Sequence, residues 1–362
     1  MKSTDTPKYI DLMKWIKEQI LSGEFSIGMK LPSENELGKK FSISRQTVRQ
    51  ATSVLESEGL LERRRGSGTY VSANKNVTST NSSKNIGVVL TYIDDYIFPS
   101  IVKGIERVLT KNGYIMQLAF TYNRVEKETF ILDNMLKSNI DGLIIEPAKS
   151  GIPFVNTDIY QKIKAIGIPC IFAHADTNPI MGIPSVRMDD YQLGKHAAEY
   201  LIKHGHTNIA SILKSDDMQG QLRCSGMLTA FKEHDILHSE KNIYWYSTED
   251  IKCIQNGDFD NDILNRINEA TALICYNDQL AETIMKLLQR AGKKIPDDIS
   301  LISFDNLDVD ILQDLTTFDH PKRDFGKTIA TQLLKLIQNP NFNASIKFPP
   351  KLIERQSVKT LD

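Results

Sequence analysis

The sequence predicts a multidomain chain: a small α+β domain of three helices and a β-hairpin, then a larger α/β region in two lobes built on parallel sheets. Three observations carry this expectation. The chain has 362 residues, beyond the range of about 100–200 for one ordinary domain. Residues 73–84, ANKNVTSTNSSK, hold one large apolar residue, Val77, and cannot bury enough surface to offset their ordering entropy, so they read as a linker. Before that stretch the apolar spacing is helical. After it, short apolar runs alternate with helical segments, the pattern of a parallel sheet covered on both faces.

Composition narrows the class. Hydrophobic residues make up 41% and charged ones 25%, a globular balance. The N-terminal apolar residues are broken by Asp11, Lys14, Lys17 and Glu18, and no run of about twenty apolar residues occurs, so neither a secretory segment nor a membrane span is expected. Cys170, Cys224, Cys253 and Cys275 are scattered without a CxxC pair and read as free thiols in a reducing cytoplasm. The net charge of −1 argues against a uniformly basic nucleic-acid binder. Divided at the linker it separates: residues 1–72 carry 12 Lys and Arg against 9 Asp and Glu, and the rest 32 against 36. The head is mildly basic and the body mildly acidic.

In the head, residues 9–21 space Ile10, Met13, Ile16 and Ile20 as one helix. Ser33 and Glu36 form the S-x-x-E capping box of a second. Ser44 caps a third, with Val48, Ala51 and Leu55 on its apolar stripe. Glycines 66 and 68 then divide two β-prone runs into a hairpin. Three helices and a hairpin make a winged helix-turn-helix. Arg45, Gln46 and Arg49 fall on the third helix's other face, and Arg and Gln bond guanine and adenine edges bidentately in the major groove. Thr47 and Ser44 are placed to donate to phosphate. The hairpin adds Arg63, Arg64 and Arg65.

In the body, strands are expected at 86–92, 113–120, 142–145, 168–172, 209–213, 272–276 and 299–304. Ligands of such sheets bind beyond the C-terminal strand ends. Tyr96 and Phe98 stand there after the first strand, and Glu146 and Lys149 after the third. His174, Asp216, Gln219, Arg223, Asn277, Asp305 and His320 follow later ones. Carboxylates, Arg and Asn bond a ring of hydroxyls while an aromatic face covers its apolar side, so a sugar suits the set. Simpler readings stand beside some of these: His174 as a core histidine, Asp216 and Asp217 as helix caps. His204-Gly205-His206 reads as a helix C-terminus. No GxSxG, HExxH, P-loop or GxGxxG after a strand is present, so no enzyme, cofactor or metal is expected, and Asp94-Asp95 and Asp189-Asp190 read as ligand or surface groups.

The series Lys8-Tyr9, Leu31-Pro32-Ser33-Glu34-Asn35-Glu36-Leu37, Ser44-Arg45-Gln46-Thr47-Val48-Arg49 and Gly66-Ser67-Gly68-Thr69 resembles the GntR-type winged helix. The resemblance implies that Arg45, Gln46, Thr47 and Arg49 read DNA and that Lys8 and Glu34 help position the domain. Ser33 joins this set, and the wing from Arg65 through Gly66, Ser67, Gly68 and Thr69 tracks a groove. Further on, Asp141-Gly142-Leu143-Ile144, Leu193-Gly194, Arg223…Gly226, Ile274-Cys275-Tyr276-Asn277-Asp278, Phe304-Asp305-Asn306 and Thr316-Thr317…His320 resemble the LacI/GalR-type core, a periplasmic-binding-protein-like (type I) fold. That implies an effector cleft with Arg223, Asn277 and Asp305 on the ligand, and a homodimer. No hinge-helix pattern lies in 73–84.

Residues 91–100, Glu146-Pro147-Ala148-Lys149-Ser150 and Asp216-Asp217-Met218-Gln219-Gly220 are similar to the arabinose-responsive repressors of Gram-positive bacteria, which join these two domain types. The implied partners are double-stranded operator DNA and L-arabinose, with Glu146, Lys149 and Gln219 added to the ligand set. The residues themselves leave the effector open to another sugar or small metabolite. The expected layout is a DNA-binding domain at 1–72, the linker at 73–84, and the effector domain at 85–362. Its first lobe covers about 85–187 plus 320–340, its second about 188–316 plus 346–358.

Overall fold

The computed structural model describes residues 8–21, 24–57, 59–64, 66–72, 83–93, 96–153, 155–176, 182–237 and 240–361. The chain divides into two compact units, Met1–Ser82 and Ser83–Asp362. Most of the expected linker, 73–82, falls outside the described residues. Its last two residues belong to the second unit, because the Asp141 carboxylate accepts bonds from the Ser83 N–H (3.1 Å), the Ser83 hydroxyl (3.2 Å) and the Lys84 N–H (2.9 Å).

The first unit holds α1 (Lys8–Leu21), α2 (Glu34–Phe41), α3 (Arg45–Ser57) and a hairpin of β1 (Leu61–Arg64) and β2 (Gly68–Val71). Ser33 and Glu36 close the expected capping box, satisfying N–H groups that the first turn leaves without partners. Val48, Ala51 and Leu55 are buried as expected. The stripe of α1 is rotated from the expected one. Leu12 and Ile16 fill the centre, while Met13 and Ile20 pack at its edge. Trp15 sits 5.5 Å from the Phe25 ring and 5.2 Å from Phe41, and this pairing turns the helix.

In the second unit, one sheet runs β13-β7-β6-β5-β3-β4. Its strands are β3 (Asn85–Leu90), β4 (Ile115–Phe120), β5 (Gly142–Ile145), β6 (Cys170–Ala173), β7 (Ser185–Met188) and β13 (Ile346–Phe348). The other runs β14-β12-β11-β10-β8-β9. It comprises β8 (Ile209–Lys214), β9 (Ile243–Tyr246), β10 (Ala272–Cys275), β11 (Ser300–Asp305), β12 (Thr316–Asp319) and β14 (Leu352–Ile353). All pairs are parallel except β12–β14. Helices α4 (Phe98–Lys111), α5 (Val125–Lys137), α6 (Thr157–Ile166) and α12 (Lys322–Gln338) accompany the first sheet. The second has α7 (Asp190–Lys203), α8 (Met218–Glu233), α9 (Ile251–Asn256), α10 (Asp260–Ile267) and α11 (Asp278–Arg290).

The expected strands are all present. Five further strands of this unit, Ser185–Met188, Ile243–Tyr246, Thr316–Asp319, Ile346–Phe348 and Leu352–Ile353, have two to four residues each and lie outside the expected set. One lobe boundary is corrected: Ile346–Phe348 was expected in the second lobe but pairs in register with Val186–Met188 of the first sheet. The chain crosses only afterwards, at Pro349-Pro350, where two rings impose extended backbone. The expected helix end at His204 is present, with Gly205 at φ 85°. Helices α7 and α8 touch backbone to backbone. A methyl group on Gly194 would lie 1.9 Å from the Arg223 carbonyl oxygen, and one on Gly226 1.9 Å from that of Tyr191. No described helix is long and apolar enough to cross a membrane.

Candidate functional site

In the first unit, the buried stripe of α3 turns Arg45, Gln46 and Arg49 outward, and all three are exposed. The side chains of Arg45 and Gln46 make no hydrogen bond among the described residues. Arg49 is different. Its Nε donates to both Glu34 carboxylate oxygens at 2.9 Å, and Arg63 approaches the same carboxylate at 3.5 Å. The bond from Arg49 holds the Glu34 carboxyl below its usual range. Glu34 therefore orients Arg49 rather than facing a groove alone. Ser44 accepts from the Thr47 N–H at 3.1 Å, and the two hydroxyls pair at 2.8 Å. Ser44 is thus first a cap, and Ser33 likewise. The wing turns on Gly66 (φ 77°) and Gly68 (φ 129°), left-handed positions that glycine adopts freely. Ser67 bonds the Tyr70 hydroxyl at 2.6 Å, and Thr69 pairs with Arg63. Arg65 and the side chain of Lys8 lie outside the described residues, as do Asp94 and Asp95.

In the second unit, a cavity of about 810 Å³ lies at the C-terminal strand ends of both sheets. Tyr96, Phe98, Glu146, His174, Gln219, Arg223, Asn277, Asp305 and His320 all line it, so nine of the eleven expected ligand residues converge. Glu146 accepts from the Thr91 N–H (2.8 Å) and hydroxyl (2.6 Å), and pairs with His174 Nδ1 at 2.8 Å. Burial alone would raise this carboxyl; the charge and bond of His174 with the bonds from Thr91 outweigh it and hold it low. His174 Nε2 meets His320 Nε2 at 3.2 Å, and the His174 ring stacks on Phe325 at 4.3 Å. Burial, with like charge nearby, pushes His320 well below the usual histidine range, so it is neutral.

Arg223 spends three N–H groups on the protein: Nε and Nη2 on Asp190 at 2.9 and 2.8 Å, and Nη1 on the Tyr276 carbonyl. Two of its five remain. Asn277 caps α11, its Oδ1 accepting from the Leu280 N–H at 2.9 Å, which leaves the amide nitrogen. Burial pushes the Asp305 carboxyl up to about 7. Asp305 holds φ 105°, a conformation costly for a non-glycine residue, and Lys322 braces the turn by donating to the carbonyls of Asp305 and Asn306. Tyr96 Oη, Gln219 Oε1 and His320 Nδ1 are buried without a hydrogen-bond partner.

Lys149 and Asp216 do not line the cavity. Lys149 takes the left-handed conformation (φ 50°) after β5. Its Nζ crosses to the other lobe, 3.1 Å from Asp216 and 2.6 and 2.8 Å from the Glu249 oxygens. Asn123 crosses beside it. The Asn123 amide donates to Asp217 at 3.1 Å and to Thr248 at 2.6 Å, and accepts from the Lys149 N–H at 2.6 Å. These residues clasp the lobes together at one edge of the cleft. Nor is Asp217 a side-chain cap: it bonds Lys214 (2.7 Å) and the Tyr276 hydroxyl (3.0 Å). Asp189 caps α7, while Asp190 serves Arg223. Sequence reasoning missed Tyr92, Asp190, Lys214 and Tyr276 in the lining. Tyr92, Lys214 and Tyr276 end or follow expected strands, so the rule used for the others would have found them; Asp190 follows Ser185–Met188, a strand outside the expected set.

Residues 9–71 match the bacterial regulatory proteins of the gntR family, and residues 198–358 match the periplasmic binding protein-like domain. The chain is 37% identical over 367 residues to the arabinose metabolism transcriptional repressor of Geobacillus stearothermophilus, covering 100% of both. It is 32% identical over 365 residues to the protein of that name from Halalkalibacterium halodurans, covering 97% of this chain and 96% of that one. A LacI family transcriptional regulator from Enterococcus faecium, solved with bound ribose, superposes with a TM-score of 0.64 at 27% identity, over 77% of this chain and 100% of that one.

Proposed function

Because this chain belongs to the family of arabinose metabolism transcriptional repressors, we propose that L-arabinose is its effector and that sugar binding in the cleft releases it from operator DNA. The chain is a DNA-binding transcriptional repressor with a sugar effector, and not an enzyme. The observation that carries the effector reading is the set of partnerless buried atoms, Tyr96 Oη, Gln219 Oε1 and His320 Nδ1, on side chains that line one aromatic-walled cavity. A buried polar atom without a partner costs about 1–3 kcal/mol, and a polyhydroxylated ring relieves several at once. Arg223, Asn277, Asp305 and Glu146 then select among hydroxyl arrangements.

In this reading Arg45, Gln46 and Arg49 contact base edges, and Ser44, Thr47 and the wing at 66–69 contact the backbone. The protein acts in the cytoplasm as a homodimer on a pseudo-palindromic operator, as helix-turn-helix dimers do. L-Arabinose stabilises the closed cleft and alters the dimer so that the heads fit their half-sites less well. A coupling of about 1–3 kcal/mol weakens DNA binding roughly 5–150-fold. A thermal-shift panel of pentoses and hexoses tests the effector: L-arabinose raises the unfolding temperature where D-xylose and D-galactose do not. Mobility shift on DNA upstream of sugar-catabolic genes tests release. Operator binding that ignores every sugar in the panel refutes the proposal.

A further inference from the structure

The cavity is larger than one pentose needs. Ten non-hydrogen atoms, each given the roughly 30 Å³ that a water molecule takes in the liquid, fill no more than about 300 Å³. The cavity measures about 810 Å³. Its two ends differ. Glu146, His174, Arg223, Asp305 and His320 are buried, whereas Lys252, Gln255 and Gln279, on the lining elsewhere, are exposed. At that exposed end Gln255, Gln279 and Thr283 also line a second cavity of about 250 Å³, so the space continues outward between α9 and α11. Both helices belong to the second lobe, so closing one lobe on the other does not narrow the gap between them.

The chemistry of this outer chamber suits a neutral polyhydroxylated group. The side chains of Gln255 and Gln279 make no hydrogen bond among the described residues, and each amide both donates and accepts. The cations of the second cavity are matched by carboxylates: Lys286 meets Glu282 at 2.6 Å and Arg290 meets Asp260 at 2.8 Å, which disfavours an anionic ligand.

We infer that the cleft has two saccharide subsites, an inner one for a pentose and an outer one between α9 and α11 for a second sugar unit, so that a pentose disaccharide is also a ligand. This rests on the effector reading above. The test is calorimetric titration of the full chain with L-arabinose and with an L-arabinose disaccharide. The disaccharide binds one per chain and is displaced by L-arabinose. Gln279→Ala and Lys252→Ala each weaken it about fivefold, the equivalent of one hydrogen bond, and leave the L-arabinose Kd unchanged. Binding of L-arabinose without the disaccharide overturns the outer subsite and leaves the effector reading standing. So does disaccharide binding that ignores both substitutions. If neither sugar binds, the effector reading falls and the subsite with it.

Discussion

Asn123→Gly cuts the clasp between the lobes without straining the backbone. Asn123 is fully buried at φ 56°, where alanine would add a conformational penalty and glycine does not. The side chain makes three hydrogen bonds: to Asp217 and Thr248 across the cleft and from the Lys149 N–H beside it. Only the first two cross the cleft, so at about 1 kcal/mol net for each the closed arrangement loses up to ~2 kcal/mol relative to the open one. That is up to roughly 30-fold in the closed-to-open ratio. A ligand held by both lobes binds the closed form, so its apparent Kd rises as the closed fraction falls. Calorimetry with L-arabinose is expected to show a Kd raised about tenfold or more, within that ceiling. Small-angle scattering of the variant should show a larger radius of gyration that added sugar reverses. A lower unfolding temperature with unchanged affinity and radius would refute this account and leave Asn123 a purely structural residue.

Other outcomes follow from the same geometry. Arg45→Ala should weaken operator binding by about 1–3 kcal/mol, the worth of a base contact, while the sugar-induced thermal shift stays intact; a mobility-shift titration and a melting curve check the two halves. Asp305, pushed up to about 7 by burial, is largely protonated below that pH. A sugar hydroxyl donating to it favours the ionised form, so binding releases a proton there. Affinity should fall as pH drops through about 7, and Asp305→Asn should flatten the profile in calorimetry across buffers of different ionisation enthalpy. Gly194→Ala drives a methyl group into the Arg223 carbonyl and should cost more than the ~1–3 kcal/mol of ordinary overpacking, read by denaturant unfolding of the second unit.

Local chemistry along the chain was enough for most of the elements and for the two kinds of site. The capping box at Ser33 and the buried face of Val48, Ala51 and Leu55 depend on neighbours within a turn or two, as does the Gly66–Gly68 wing, so spacing alone reveals them. Strand ends carrying Glu146, His174, Asn277 and Asp305, with Arg223 on the helix that follows β8, converge because parallel sheets gather their C-terminal ends, a rule that residue order already states. Contacts between residues distant in sequence were beyond that reach. Lys149 has a ligand's charge and position, yet a left-handed backbone swings it to Asp216 and Glu249, residues on the other lobe. Asn123, in no motif, became the clasp because folding brought Thr248 within 2.6 Å. Ile346–Phe348 joined the first sheet because an edge beside β7 stood open to it. Residue type and periodicity decide what a segment can be; which distant partner completes it depends on packing, and only the folded chain supplies that.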